Sequence, residues 1–176
     1  SRLLEESLEI FQRLSDPRAQ ATLWASLGSV YARLNRWLEA ESAFAKSLDT
    51  FAMPVDARSI AVVRQERGIL LERIGKPIGA REEYEAALKI YESLGPDAEQ
   101  EWLFAAANFA NVLRQQGEVA RSLSLFREVI ASLEKLRGSD HPDVLAALGN
   151  YATALDEVGQ EGQSAATMKR VVDVLR

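Results

Sequence analysis

The sequence predicts an all-α fold, a solenoid of about nine helices stacked as antiparallel hairpins. Apolar residues recur at spacings of three and four, which is typical of one face of a helix and not of a strand. The same pattern returns about every 40 residues, and each copy contains a residue type that tolerates a tight left-handed turn. These observations indicate several copies of one helix hairpin.

The first helix of each copy carries a small residue and then ends at a turn. The small residues, spaced by 40, 42 and 42 positions, are Gly28, Gly68, Ala110 and Ala152. The turn residues seven positions later are Asn35, Gly75, Gly117 and Gly159. Glycine and asparagine accept a positive φ more readily than other residues, so a sharp reversal is expected at each of these places.

The second helix of each copy pairs a small residue with a bulky one four positions later. The pairs are Ala40 with Phe44, Ala80 with Tyr84, Ser122 with Phe126 and Ser164 with Met168. A small residue lets two helix axes approach to about 8–10 Å, and the bulky residue fills the space beside it. Each copy is therefore predicted to be a closely packed hairpin.

The chain is predicted to form a single solenoid over 1–176 and to be a fragment of a longer protein. Segment 43–51 matches segment 3–11 when moved back by 40 positions, so the chain opens on half a copy. The parts are a half repeat over 1–16 and repeats over 17–55, 56–96, 97–138 and 139–176. The predicted helices cover 2–14, 17–34, 36–51, 56–74, 77–94, 98–116, 118–136, 142–158 and 161–175.

The first full copy carries the letters of a known repeat. The pattern W-x2-L-G-x2-Y followed by A-x3-F is filled by Trp24, Leu27, Gly28, Tyr31, Ala40 and Phe44. In this respect the chain resembles the tetratricopeptide repeat (TPR) family, whose usual period is about 34 residues. The second copy departs from the pattern, because Arg64 and Arg67 replace the tryptophan and the leucine.

The longer period of this chain is similar to that of two groups within the family. The stretch 138–155, GSDHPDVLAALGNYATAL, resembles the junctions of kinesin light chains, and the stretch 3–16, LLEESLEIFQRLSD, resembles repeats of bacterial signalling regulators. The resemblance implies a right-handed superhelical solenoid that binds other proteins. It also implies that the rings of Trp24, Tyr31 and Phe44 are core residues, with Trp37 packed at the base of the hairpin.

Composition and charge exclude several classes of function. The net charge is −5, from 21 basic and 26 acidic residues without long runs of either sign, which disfavours a nucleic-acid surface. There is no cysteine, and no apolar stretch reaches the roughly 20 residues of a membrane span. The expected protein is soluble and cytoplasmic, with no membrane or nucleic-acid partner.

The sequence shows no catalytic or metal-binding constellation. His141 is the single histidine, and the run SDHPD indicates a helix start with Ser139 or Asp140 near the cap and Pro142 in the first turn. Glu82 and Glu83 are adjacent on a helix, so their side chains diverge and are expected to be solvated. We expect no enzyme activity, no metal and no cofactor.

The resemblance places certain positions of each first helix on the concave face of the solenoid, where a partner would bind. From these positions the candidate peptide-binding residues are Asn108, Asn111, Asn150, Arg114, Gln65 and Arg73. A side-chain amide both donates and accepts hydrogen bonds, which suits the backbone of an extended peptide. A solvated polar stripe without a ligand is the alternative. A carboxylate clamp of the kind found in some family members is not expected, because no lysine lies at these positions.

Two functions follow from these patterns. The first is a non-enzymatic scaffold that holds a peptide or protein segment in its concave groove. The second is a regulatory or oligomerisation segment of a larger signalling protein, acting through uncapped ends. The second rests on the last helix, which ends in the apolar residues Val171, Val172, Val174 and Leu175.

Overall fold

The computed structural model describes residues 16–51 and 56–174, and in these ranges it contains α-helices and one short 3-10 helix but no strand. The α-helices are α1 (Pro17–Arg33), α2 (Trp37–Thr50), α3 (Ala57–Arg73), α4 (Pro77–Leu94), α5 (Glu99–Gln115), α6 (Val119–Arg137), α7 (Pro142–Glu157) and α8 (Glu161–Val174). The 3-10 helix, Gly95–Ala98, follows α4. The described residues thus hold eight α-helices where nine were predicted, and the predicted helix 2–14 lies outside them.

The helices form two compact units, the first ending at Ala98 and the second starting at Glu99. In the first unit α1 packs against α2 and α3 against α4; in the second unit α5 packs against α6 and α7 against α8. The division falls close to the predicted boundary between repeats 56–96 and 97–138. Each of the two units contains two hairpins.

The turn residues at the four hairpin bends adopt the predicted left-handed conformation. Asn35 has a φ of 57°, and it is the single non-glycine residue with positive φ in the described ranges. In every bend the amide that follows the turn residue donates to a carbonyl five residues earlier. These bonds are Arg36 N to Tyr31 O (2.9 Å), Lys76 N to Leu71 O (2.8 Å), Glu118 N to Leu113 O (2.9 Å) and Gln160 N to Leu155 O (3.0 Å). One bond pattern therefore closes the first helix of each hairpin.

Small residues bring the two helices of a hairpin together, as predicted. A Cβ added at Gly28 would lie 2.6 Å from Cδ1 and Cε1 of Phe44, so the ring rests directly on the glycine. Phe44, Tyr84 and Phe126 are all buried. In the third hairpin the serine of the second helix also ties the helices together: Ser122 Oγ donates to Ala110 O at 2.7 Å.

Two of the three rings predicted as core are only half-buried. Phe44 is buried, but Trp24 and Tyr31 each keep part of the ring at the surface. The Lys46 ammonium lies 4.2 Å from the centre of the Trp24 ring, and the Arg36 guanidinium lies 4.6 Å from that of Tyr31. The flat face of an aromatic ring attracts a cation, so a charged side chain covers the part that the helices leave open.

Glu83 is buried, in contrast to the prediction that it is solvated like its neighbour Glu82. Its carboxylate accepts from Arg64 Nη1 at 3.1 Å and from Arg67 Nη1 at 2.7 Å. Arg64 and Arg67 occupy the positions of the signature tryptophan and leucine. The second hairpin therefore replaces apolar packing by an ion-paired carboxylate, which is why the glutamate turns inward.

The start of α7 differs in one detail from the prediction. His141, and neither Ser139 nor Asp140, is the N-cap, since its Nδ1 accepts from Asp143 N at 3.1 Å. Pro142 occupies the first helical position and Asp143 lies in the first turn, as predicted. A ring nitrogen two residues before the free amide reaches it as readily as a serine or aspartate oxygen would.

Candidate functional site

The three asparagines predicted to face a ligand all belong to the second unit. Asn108 and Asn111 lie on α5 and are half-buried, and Asn150 lies on α7 and is exposed. These helices are the first helices of two consecutive hairpins, and they contact each other. The second unit therefore holds a polar face built from α5 and α7, which we call the asparagine face and define by Asn108, Asn111 and Asn150.

Asn108 carries a hydrogen-bond donor that nothing in the described fold satisfies. Its Nδ2 atom is buried and has no acceptor. A buried donor without a partner costs about 1–3 kcal/mol, so buried amides normally find an acceptor within the fold or in a bound molecule. The side-chain amide of Asn111, one turn later, makes only a weak hydrogen bond within the fold. Its Nδ2 donates to Ala107 O at 3.4 Å, beyond the usual range for such a bond.

Arg114 lies beside the asparagine face and is paired across to α7. Its Nη1 donates to the carboxylate of Glu157, and its Nε atom is buried without a partner. The two side chains are partly exposed, at 22% for Arg114 and 39% for Glu157. Arg114 therefore offers a further unused donor at the same edge of α5, next to an ion pair that a competing carboxylate could exchange.

An exposed aromatic ring adds apolar surface to the same helix. Phe104 is 55% exposed, although a phenylalanine in a helix of this kind normally packs inward. It precedes Asn108 by four residues and Asn111 by seven, so the three share one face of α5. The asparagine face is thus flanked by a ring suited to an apolar side chain.

Gln65 and Arg73 belong to the first unit, so the fold does not gather the six predicted residues in one unit. Gln65 is 7% exposed, and its Oε1 accepts from the Tyr91 hydroxyl at 3.4 Å. This corrects its prediction as a groove residue, because the side chain is buried and its amide oxygen lies against the Tyr91 hydroxyl of α4. Arg73 is exposed, with its guanidinium 5.2 Å from the centre of the Trp37 ring.

The described residues contain no cluster of three or more histidine, cysteine, aspartate or glutamate side chains that could hold a metal. In the same ranges no helix is both long enough and apolar enough to cross a bilayer.

Comparison with known proteins supports the repeat architecture. Residues 102–176 match the family model described as tetratricopeptide repeat. No curated protein sequence matches the chain. Similar solved structures include a putative kinesin light chain with nearly identical TPR-like repeats from Podosopora anserina. The two chains are 19% identical in sequence and superpose with a TM-score of 0.84, and the match covers 98% of this chain and 84% of that one.

Two other structures have the same fold. BtubC (BKLC) from P. vanneervenii shows 18% identity and a TM-score of 0.87, over 98% of this chain and 70% of its own. YrrB, a TPR protein with an unusual peptide-binding site, shows 18% identity and a TM-score of 0.71, over 98% of this chain and 78% of its own. The predicted all-α, TPR-like class is confirmed. Residues 102–176 therefore match the tetratricopeptide repeat model, and the fold of such proteins extends over nearly the whole length of the chain.

Proposed function

We propose that the chain is a non-enzymatic protein-interaction module whose second unit binds an extended segment of a partner along the asparagine face. TPR repeats generally serve as protein-interaction scaffolds. The observation that carries the proposal is the buried, unpartnered Nδ2 of Asn108. When the Asn108 side chain turns its amide to the surface, a peptide carbonyl there would satisfy the donor and remove the cost of leaving it buried and unpaired.

Backbone recognition explains why amides occupy this face. An asparagine costs about half a kcal/mol in a helix relative to alanine, so three of them are not favoured by helicity. Each amide can pair with both C=O and N–H of an extended chain. Asn108 and Asn150 stand one repeat apart and would hold the same backbone at two points, while an apolar side chain of the partner covers Phe104.

A capture experiment tests the proposal. The chain and its Asn108→Ala, Asn111→Ala, Asn150→Ala variant are immobilised, native lysate is passed over both, and retained proteins are identified by mass spectrometry. The matched control is Gln163→Ala, which removes an exposed amide of α8 in the same unit.

The parent and the control should retain a protein that the triple variant loses. At about 1 kcal/mol for each hydrogen bond, three amides correspond to an affinity change of roughly 100-fold, measurable by calorimetry on the identified partner. Equal retention by the triple variant would show that the asparagine face does not bind it.

Asn108 also allows a test without any partner. Replacing it by alanine removes a buried unsatisfied donor and adds a better helix former, so we expect the free energy of unfolding to rise by about 1 kcal/mol. The measurement is urea denaturation of Asn108→Ala beside the parent. A loss of stability would mean that the amide serves the fold and not a ligand.

A second function is favoured by the apolar surface of α8. Met168 and Val172 are 41% and 42% exposed, whereas the equivalent residues of α6, Phe126 and Ile130, are buried. Such a surface suits self-association or stacking on further repeats. Light scattering over a range of concentrations tests self-association: the parent should gain mass with concentration, and a Met168→Glu, Val172→Glu variant should remain monomeric. A parent that stays monomeric throughout contradicts it.

A further inference from the structure

The two hairpin bends of the first unit expose three large aliphatic side chains. Leu34 is 59% exposed, Leu38 is 81% and Ile78 is 72%. They lie in the segments 33–38 and 73–78, which contain the bends between α1 and α2 and between α3 and α4. We call these two segments the bend surface of the first unit. The two bends are neighbours, since the Arg73 guanidinium of one lies 5.2 Å from the centre of the Trp37 ring of the other. Aliphatic side chains this open on neighbouring bends are typical of an interaction site.

The repeat architecture does not require these side chains. Leu38 and Ile78 occupy equivalent positions 40 residues apart, each in the first turn of the second helix of its hairpin. The corresponding positions of the second unit hold Ala120 and Gly162. Since a small residue suffices for the same bend, packing within the hairpin does not explain the large ones.

The charges of the two segments point to the chemistry of the partner. The bend surface contains four cations and no carboxylate; the cations are Arg33, Arg36, Arg73 and Lys76. The equivalent segments of the second unit, 115–120 and 157–162, contain three glutamates and no cation. The basic character therefore belongs to this surface and is not a general property of the bends.

Part of this positive charge is unused within the fold. Arg36 pairs with Glu39 at 2.9 Å and Lys76 with Glu41 at 3.2 Å. Arg33 and Arg73 have no carboxylate partner in the described ranges, and the Arg73 guanidinium is held over the Trp37 ring. Such a guanidinium can pair with a carboxylate of a partner protein. The exposed aliphatic surface beside it can then contact an apolar residue next to that carboxylate.

We propose that the bend surface of the first unit binds an acidic protein segment in which aspartate or glutamate residues alternate with aliphatic ones. The aliphatic side chains cover Leu38 and Ile78, and the carboxylates pair with Arg33 and Arg73. An anionic bilayer fits less well, because Glu39 directly follows Leu38 in the first turn of α2 and would come close to a flat negative surface. A narrow segment follows the cations and avoids this carboxylate.

The experiment uses a random peptide library displayed on phage and selected on the immobilised full chain. Selection is repeated on three double variants. The first combines Leu38→Ser with Ile78→Ser, and the second combines Arg33→Gln with Arg73→Gln. The third, Ala120→Ser with Gly162→Ser, is the matched control, because it places serine at the equivalent positions of the second unit. All six positions lie in or beside bends, and Leu38 and Ile78 are largely exposed, so these variants are expected to fold, as circular dichroism checks.

We expect enrichment of sequences that combine acidic and aliphatic residues, with binding of the best peptide reduced at least about tenfold in either bend variant and unchanged in the control. Binding should weaken as salt is raised, because the contact is partly ionic and exposed. Three results would overturn the proposal: no such enrichment, equal binding by the bend variants, or binding of phosphatidylserine vesicles in preference to the peptide.

The same peptide separates this surface from the asparagine face. Its binding should be unaffected in the Asn108→Ala, Asn111→Ala, Asn150→Ala variant. If that variant loses the peptide, the enriched sequences bind along α5 and α7, and the proposal for the bend surface is wrong while the proposed function stands.

Discussion

Glu83 replaces apolar packing in the second hairpin by charge. Its side chain is 10% exposed and holds two guanidiniums that are 34% and 26% exposed. Removing the carboxylate would leave Arg64 without this partner and Arg67 with only the more distant carboxylate of Glu41, 4.0 Å from its Nη2. We expect Glu83→Ala to lower the free energy of unfolding by about 3 kcal/mol, the lower end of the range for breaking a buried pair.

Urea denaturation measures this loss, and Glu82→Ala is its matched control. Glu82 is the adjacent, exposed residue of the same helix, so its removal should change stability by less than about 0.5 kcal/mol. Similar values for the two variants would mean that the ion pairs contribute nothing to the hairpin.

Tyr84 gives the first unit a sensitivity to alkaline pH. Its hydroxyl donates to Glu72 Oε2 at 2.8 Å, and burial together with that carboxylate raises the pKa of Tyr84 above its ordinary value. The unfolded chain releases the proton near pH 10 while the folded chain retains it. The stabilisation is complete below about pH 10 and is lost as pH rises further, by about 1.4 kcal/mol for each pH unit.

Urea unfolding of the parent and of Tyr84→Phe at about pH 8 and about pH 11 checks this expectation. Phenylalanine cannot ionise, so the variant should lose less stability between the two conditions than the parent. An equal loss in both proteins would assign the alkaline sensitivity to other groups.

At the scale of helices, Gly28 determines how closely α1 and α2 can approach each other. A methyl group at Gly28 would overlap the Phe44 ring, whereas nothing lies within 4 Å of a Cβ added at Gly149 in α7. We expect Gly28→Ala to destabilise the chain by about 1–3 kcal/mol through overpacking. Gly149→Ala should stabilise it by roughly 0.5–1 kcal/mol, because alanine favours the helix. Thermal denaturation of both variants tests the pair, and destabilisation by Gly149→Ala would contradict it.

The helices themselves were largely determined by local signals. Each of the eight described α-helices begins and ends within one residue of its prediction. Asn35 and the glycines of the other bends specify where a helix must stop, and Pro17, Pro77 and Pro142 specify where one starts. These effects act over a few residues, so they can be recognised without knowing what packs against the helix.

For the molecule as a whole, the division at Ala98 and Glu99 predicts local unfolding. The stability of stacked repeats is approximately a sum of local terms. We therefore expect Glu83→Ala to accelerate amide hydrogen exchange within α1 to α4 and to leave the rates within α5 to α8 unchanged. Mass spectrometry of the exchanged peptides measures this. Faster exchange in both units would show that the chain unfolds as one cooperative body.

The candidate site was predictable in part. The spacing of the repeats placed Asn108, Asn111 and Asn150 on first helices, and the fold brings α5 and α7 together with these residues in one unit. Position in a repeat could not show that Gln65 turns toward Tyr91, that Arg114 pairs with Glu157, or that Phe104 stays exposed. Each of these depends on which side chain of another helix happens to lie within reach.

By itself the sequence determined the all-α class, the hairpin repeat and the helix boundaries, because spacing, small residues and turn residues act locally along the chain. Only the tertiary structure decided that Glu83 is buried between two arginines, that the donor of Asn108 lacks an acceptor, and that Leu38 and Ile78 remain uncovered. Burial and pairing are properties of neighbours that are distant in sequence, and a repeat pattern specifies where those neighbours stand without specifying how their side chains meet.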